Sequence, residues 1–523
     1  MLKFTLSVGI MTAVTTLAQA QTGTVGININ TSSSTPIAAG FSGFNVPQLR
    51  NGVEYFDPKF TKAIQPLRPG VMRFPGGTSS MAYDWNPNDA SGGHININWL
   101  NSLISGPNPP VTGNPASVLE LSQPLTQAKG GVYLASYASF ANGFKSPTVI
   151  CVNGYTDTDP NSAGLMAQTA QNLGLNVVEW ELANEPYLFP LIFPTAASYA
   201  AAMFNPYYNN ITAANPSATT GMFYAGQYTG TTGNYSSWDQ PPTGMSSYTP
   251  QYWNAVSNHI YVLPTELDPT SAIETLNGIL VYGSTDYINS YLVPLIGSNT
   301  PIYITEFNCC APDLYKMLAT IYNGVFLTEY IARLSTLPNV KGVAVNSLYT
   351  DNSDYHGIIQ SVDDFEPYLL GQVAANPNWA TNTATNPNTQ YQFYMSAPGI
   401  ALEVANQAFN LATAVYPTTV TGGPTVPILG YSGTPVPAIY AQGYLGSSGK
   451  YHLVITNKSS ITCTATLQLN SVQLKGTLNV STVSNPNSLA NNTATAQNNV
   501  VSQSFTSTSP ITIGPYSVTA VAW

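Results

Sequence analysis

Charge is what this chain has least of. Only 7% of its 523 residues are Asp, Glu, Lys or Arg, against about a quarter in an ordinary soluble domain. Lys and Arg number 14 against 24 Asp and Glu, a formal net charge of -10. That balance excludes the basic face of a nucleic-acid binder. Cysteine is as scarce, four in all. Cys309 and Cys310 are adjacent and Cys151 and Cys463 stand alone, so there is neither a disulfide framework nor a zinc spacing. Buried thiols are expected, with a strained 309–310 disulfide as the alternative in an oxidising compartment. The four histidines, His94, His259, His356 and His452, form no HExxH or other ligand set, so no metal is expected. No glycine-rich dinucleotide loop or phosphate loop occurs either, and no nucleotide cofactor is expected.

Apolar material is not lacking: 44% of residues are hydrophobic and 11% aromatic, enough for large cores. Lys3, the apolar run to Leu17 and the Ala18-Gln19-Ala20 ending read as a secretory signal cut after Ala20, which predicts an exported protein. No later stretch has the length and hydropathy of a membrane span. Six Asn-x-Ser/Thr sequons, at Asn30, Asn210, Asn234, Asn457, Asn479 and Asn491, are compatible with export.

Acidic residues vanish altogether after Leu411. From there to Trp523 the text is short β-rich runs between Gly, Pro, Asn and Ser clusters, the pattern of a β-sandwich, to which a strand within residues 21–32 is expected to contribute. Residues 33–410 alternate strand and helix. Strands are expected at 40–46, 70–74, 148–153, 177–182, 220–225, 259–262, 301–305 and 342–347, with helices at 163–173, 196–204, 271–280, 287–296, 313–334 and 400–414. Eight strands with intervening helices predict an α/β fold, a (β/α)8 TIM barrel followed by a C-terminal β-sandwich. A doubly wound open sheet is the alternative.

In a barrel the active site lies at the C-terminal ends of the strands. The fourth strand ends in Asn184-Glu185-Pro186 and the seventh in Glu306-Phe307-Asn308. Two carboxyl groups on one rim are what glycoside hydrolysis requires, one protonated to serve the leaving oxygen and one ionised to attack the anomeric carbon. A non-catalytic carbohydrate-binding protein would not need both glutamates. A serine or metal hydrolase would need a Gly-x-Ser-x-Gly elbow or a histidine cluster, and neither is present.

Trp180-Glu-Leu-Ala-Asn-Glu-Pro186 resembles the acid/base strand of the clan of barrel glycosidases that carry Asn-Glu after strand four. The resemblance implies that Asn184 holds the sugar 2-hydroxyl, that Glu185 is the acid/base and that Glu306 is the nucleophile of a retaining hydrolase. Gly43-Phe44-Asn45 and Arg73-Phe-Pro-Gly-Gly-Thr78 resemble the opening of glycoside hydrolase family 79, the β-glucuronidases and heparanase, and of its relatives in families 39, 51 and 30. It implies an exo-β-glucuronidase, with a neutral-sugar arabinofuranosidase or xylosidase, or a heparanase-like endo-enzyme, as alternatives. His259-Ile-Tyr261 resembles a clan position where a Tyr bonds the nucleophile. Asn45 and Arg73 are further substrate-site candidates; Arg73 is either a cation beside a carboxylate or a structural ion-pair partner. Tyr355 and His356, after strand eight, are candidates for holding a uronate carboxylate. Glu179 and Glu181 read as structural. Arg50, Arg68 and Lys129 fall near early strand ends, and Trp85, Trp99 and Trp238 lie in loops where a ring either stacks on sugar or pins the loop. The expected partner is a glycan or glycoside, with no nucleic acid, membrane or cofactor.

Overall fold

The computed structural model describes residues 22–46, 55, 57–88, 92–104, 133–225, 227–228, 236–262, 264, 266, 268–309, 315–350, 357–361, 393–431 and 433–523. Among them eight parallel strands close into a barrel: β1 (Ser42–Asn45), β2 (Met72–Phe74), β3 (Thr148–Val152), β4 (Val177–Leu182), β5 (Thr220–Phe223), β6 (Ala255–Val262), β7 (Ile302–Cys309) and β8 (Val340–Asn346). β5 pairs with β6 and β8 returns to β1, so no barrel edge is left open. The strands read as almost continuous branched and aromatic runs because both faces are covered, by barrel filling inside and helices outside. The fold is thus the (β/α)8 TIM barrel with a C-terminal β domain. No described helix is long and apolar enough to cross a membrane.

Five of the described helices are begun by short polar caps rather than by charge patterning. Asp57, Thr195, Asp268, Thr320 and Ser396 each accept a backbone N–H of the following first turn, which satisfies donors a helix start otherwise leaves open. Thr320 also divides the helix expected over 313–334: its extended backbone separates Tyr315–Leu318 from α1 (Ile321–Leu334). The helix expected over 400–414 stops at Leu411 instead. It forms α2 (Ala397–Leu411), and Ala412–Tyr416 is a strand whose Thr413 and Val415 suit the sheet it joins.

That sheet has seven strands and forms one layer of the sandwich; the other has five. The strand Thr22–Ile29 lies inside the five-stranded layer, parallel to Thr462–Leu469 and antiparallel to Thr418–Gly422. The two-residue strand Thr35–Pro36 pairs with Ala412–Tyr416, so the N-terminal contribution to the sandwich runs past the boundary expected at residue 32. Between the sheets lie Val25, Ile27, Ile455, Leu467, Val480 and Ile513. The outer face of the seven-stranded sheet packs on α1 and α2, where Tyr444, Val454, Val483 and Val518 join the barrel core. The two helices approach so closely that a Cβ on Gly324 of α1 would stand 2.6 Å from that of Ala401 on α2.

A buried ionic cluster crosses this seam. Glu329 of α1, fully buried, accepts from Lys458 Nζ at 2.6 Å, Arg333 Nη2 at 2.8 Å and Thr456 Oγ1 at 2.8 Å. Arg333 also lies over the Tyr440 ring, 4.2 Å from its centroid. Burial opposes the charge on Glu329, but the two cations outweigh it and hold its carboxyl below the usual range.

Candidate active site

The C-terminal ends of β1, β2, β4, β6, β7 and β8 converge on Glu306. Its Oε1 accepts from Arg73 Nη1 at 2.6 Å and from Asn45 Nδ2 at 3.5 Å, and its Oε2 accepts from the Tyr261 hydroxyl. Three donors address one carboxyl group, surroundings that suit an anion. A bulge in β7 aims it: Asn258 pairs with Ile304 but His259 with Glu306, leaving Thr305 as the extra residue. Such an insertion turns the side chain beside it.

Arg73 is fully buried and serves two carboxylates. Its Nε lies 3.1 Å from both Glu181 oxygens, its Nη2 donates to Glu181 Oε1 and, at 2.7 Å, to Asn184 Oδ1, while Nη1 takes Glu306. Burial alone would lower its pKa, yet Glu181 and Glu306 drive it well above the ordinary guanidinium value. It is therefore both things the sequence left open, a structural ion-pair partner and the cation beside Glu306. Glu181 and Glu306 thus share one guanidinium. Burial, and then Glu181, push the Glu179 carboxyl well above the carboxylate range.

Glu185 sits on the opposite wall. Ala183 and Glu185 both have positive φ, 72° and 47°, a backbone conformation unusual for non-glycine residues that recurs where a site dictates geometry. Glu185 Oε1 lies 2.8 Å from His259 Nδ1 and accepts from the Tyr187 hydroxyl at 3.0 Å. The same Nδ1 is 3.6 Å from Glu306 Oε2. Both carboxyl groups thus lie within reach of a single ring nitrogen. The ring of His259 stands edge-on to Phe223, centroids 4.7 Å apart.

Of the residues singled out in the sequence, Asn45, Arg73, Asn184, Glu185, His259, Tyr261 and Glu306 meet in one cluster. Tyr355 and His356 lie outside the described residues, as do Arg50, Lys129 and Cys310. Arg68 precedes β2, capping the turn Gln65–Leu67, and so belongs to the opposite end of the barrel. Trp85 and Trp238 are buried loop pins: their indole N–H groups bond Ser162 Oγ at 2.7 Å and the Phe223 carbonyl at 3.2 Å. Trp99 is partly buried against the barrel core. Cys151 and Cys463 are buried thiols. No cluster of His, Cys, Asp or Glu among the described residues could hold a metal ion.

Three contributors carry too little local signal to stand out in sequence. Asn346, ending β8, donates to the Tyr261 hydroxyl at 2.7 Å and accepts from Asn45 at 2.9 Å; nothing but its strand-end position marks it in a chain rich in Asn. Tyr187 and Tyr155 are the others, the latter donating to the Asn184 carbonyl. Gly76 is needed beside them, because its φ is 39° and a Cβ there would collide with Asn45 Oδ1.

The short helix Ser236–Asp239 that holds Trp238 carries a titratable anchor. Asp239 accepts from Ala225 N–H at 2.8 Å and the Tyr291 hydroxyl at 3.1 Å, but burial outweighs both and pushes its carboxyl up to about 7. Between about pH 4, where the unfolded chain releases this proton, and pH 7, the folded state keeps it. Stability should therefore fall as pH rises through that window and level off above it. Asp239→Asn should flatten this slope in thermal denaturation measured across the range.

No protein-family model and no curated protein matches the sequence. Solved structures do match in shape. A GH51 arabinofuranosidase from Xanthomonas axonopodis pv. citri superposes with a TM-score of 0.63 at 13% identity, over 96% of this chain and 99% of that one. An α-L-arabinofuranosidase from Thermotoga maritima gives 0.61 at 15%, over 96% and 100%. A 4-O-α-L-rhamnosyl-β-D-glucuronidase from Fusarium oxysporum gives 0.56 at 13%, over 95% and 100%. At such identities the likeness establishes the architecture, a TIM barrel with a C-terminal β domain spanning nearly the whole chain.

Proposed function

We propose that the protein is a retaining glycoside hydrolase in which Glu306 is the nucleophile and Glu185 the acid/base. The observation that carries this reading is the pair of carboxyl groups facing one His259 nitrogen at 2.8 and 3.6 Å, with the Arg73 cation on the Glu306 side. Glu306 attacks the anomeric carbon as the glycosidic C–O bond breaks, and Glu185 gives its proton to the departing oxygen. Glu185 then takes a proton from water, whose oxygen displaces Glu306 and restores both groups. Asn184, its Oδ1 held by Arg73, presents its amide nitrogen to the sugar 2-hydroxyl.

For the sugar we propose a terminal β-D-glucuronic acid or its 4-O-methyl form, released by exo action from a glycan or glycoside. Support comes from the family 79 resemblance of Gly43–Asn45 and Arg73–Thr78 and from the glucuronidase among the structural neighbours. One observation favours the neutral-sugar reading: every side-chain nitrogen of Arg73 is already committed to Glu181, Asn184 or Glu306, so a uronate would be held without that cation, by amides and the Tyr355–His356 segment. Hydrolysis of p-nitrophenyl β-glucuronide against the β-glucoside, β-xyloside and α-L-arabinofuranoside at equal concentration decides. The glucuronide is expected to be fastest; a faster neutral sugar removes the uronate assignment and leaves the two glutamates untouched.

A further inference from the structure

Directly beyond Glu185 the chain reads Pro186-Tyr-Leu-Phe-Pro-Leu-Ile-Phe-Pro194. Tyr187 and Phe193 turn into the core, but Leu188, Phe189 and Ile192 are only half-buried and Leu191 is 62% exposed. Phe189 meets Tyr155 edge-on, ring centroids 5.5 Å apart, and Tyr155 is itself fixed by its hydroxyl to the Asn184 carbonyl. The apolar lip is thus joined to the backbone that carries the proton donor. Single exposed apolar residues need no explanation; a contiguous run beside a reactive group does.

Charge on this side points the same way. Between Lys145 and Lys316 there is no lysine or arginine, a stretch that contains β3 to β7 and every loop between them. The charged side chains of the loop after β3 are Asp157 and Asp159. Within this stretch a sulfated or uronate-rich leaving group would find no lysine or arginine to pair with. The general acid must touch the departing oxygen, so the chain just past Glu185 borders whatever that oxygen is attached to.

We infer that the leaving-group side of the site takes a neutral, apolar alcohol or phenol rather than a charged or strongly hydrated glycan. This rests on the reading of Glu185 as the acid/base. The test uses the full chain and two glycosides of whichever sugar it prefers, 4-n-butylphenyl and 4-(3-hydroxypropyl)phenyl. Their phenols have nearly equal acidity, so the bond-breaking step is matched and only the contact beyond the ring differs. The butylphenyl glycoside should show a kcat/KM about tenfold higher, expressed mainly in KM, because the two probes differ only in a terminal methyl against a hydroxyl, which an apolar surface tells apart by a modest factor. Leu191→Ser should narrow that ratio to about two- to threefold and Leu191→Met should restore it. Equal values for the two glycosides, a preference for the hydroxypropyl compound, or a ratio that Leu191→Ser leaves unchanged would each overturn the inference. Failure of the underlying reading looks different: Glu185→Ala would then match the unaltered chain on both substrates, whatever their ratio.

Discussion

Glu306→Gln should abolish measurable turnover of every glycoside, while Glu185→Ala should be selective in what it loses. If Glu185 is the proposed proton donor, its loss should slow turnover by about 10²- to 10⁴-fold on substrates whose leaving group needs protonation. It should lose much less on a 2,4-dinitrophenyl glycoside, and added azide should restore turnover there by occupying the space of the missing carboxylate. The asymmetry follows from the two environments. Glu306 is held by Arg73, Asn45 and Tyr261, and its replacement removes the anionic oxygen that would bond to the sugar; Glu185, approached by His259 and Tyr187, is asked only to pass a proton. Near-normal rates from Glu306→Gln would end the proposed mechanism.

The second large effect lies far from the rim. Lys458→Met should destabilise the folded chain by about 3 kcal/mol, the lower end of what removing one partner of a buried pair costs, because Arg333 still faces Glu329. Adding Glu329→Gln should recover part of the loss, since the stranded charge goes with it. Chemical denaturation of the two variants measures both. A change below about 0.5 kcal/mol for Lys458→Met would show that the cluster is solvated and weak. The pH sign is also set: Glu329 has its carboxyl held low, so its contribution is present above the ordinary carboxylate pKa and is lost as pH falls through the lowered value.

What the sequence reveals here follows from scarcity. With so few charges, Arg73, Glu185 and Glu306 stand out, and each strand end that mattered carries a polar residue against an apolar run, as in Ile302–Ile304 before Glu306. The helix Leu134–Phe144 was not legible: Ser, Tyr and Gly dilute its periodicity, and burial of Leu134, Tyr137 and Phe140 against the barrel makes it helical. The short helices Pro58–Ile64 and Ile97–Ile104 escaped notice too. Asn346 and the β7 bulge were equally silent, because one depends on a partner across the barrel and the other on the register of two neighbouring strands. Glu181 was read as structural; its place under Arg73 depends on a contact 108 residues away in sequence.

The strand Thr22–Ile29 gives synthesis a direction that folding cannot follow. It leaves the ribosome among the first described segments, yet its parallel partner Thr462–Leu469 is nearly the last. A barrel assembled during translation would therefore carry an unpaired apolar strand, with Val25, Ile27 and Ile29 uncovered, until almost the whole chain has emerged. Pairing across so long a separation is slow, and an open strand edge in that interval is a template for joining another copy. Expression conditions that delay release of the C-terminal segment should thus govern yield more than the stability of the finished fold.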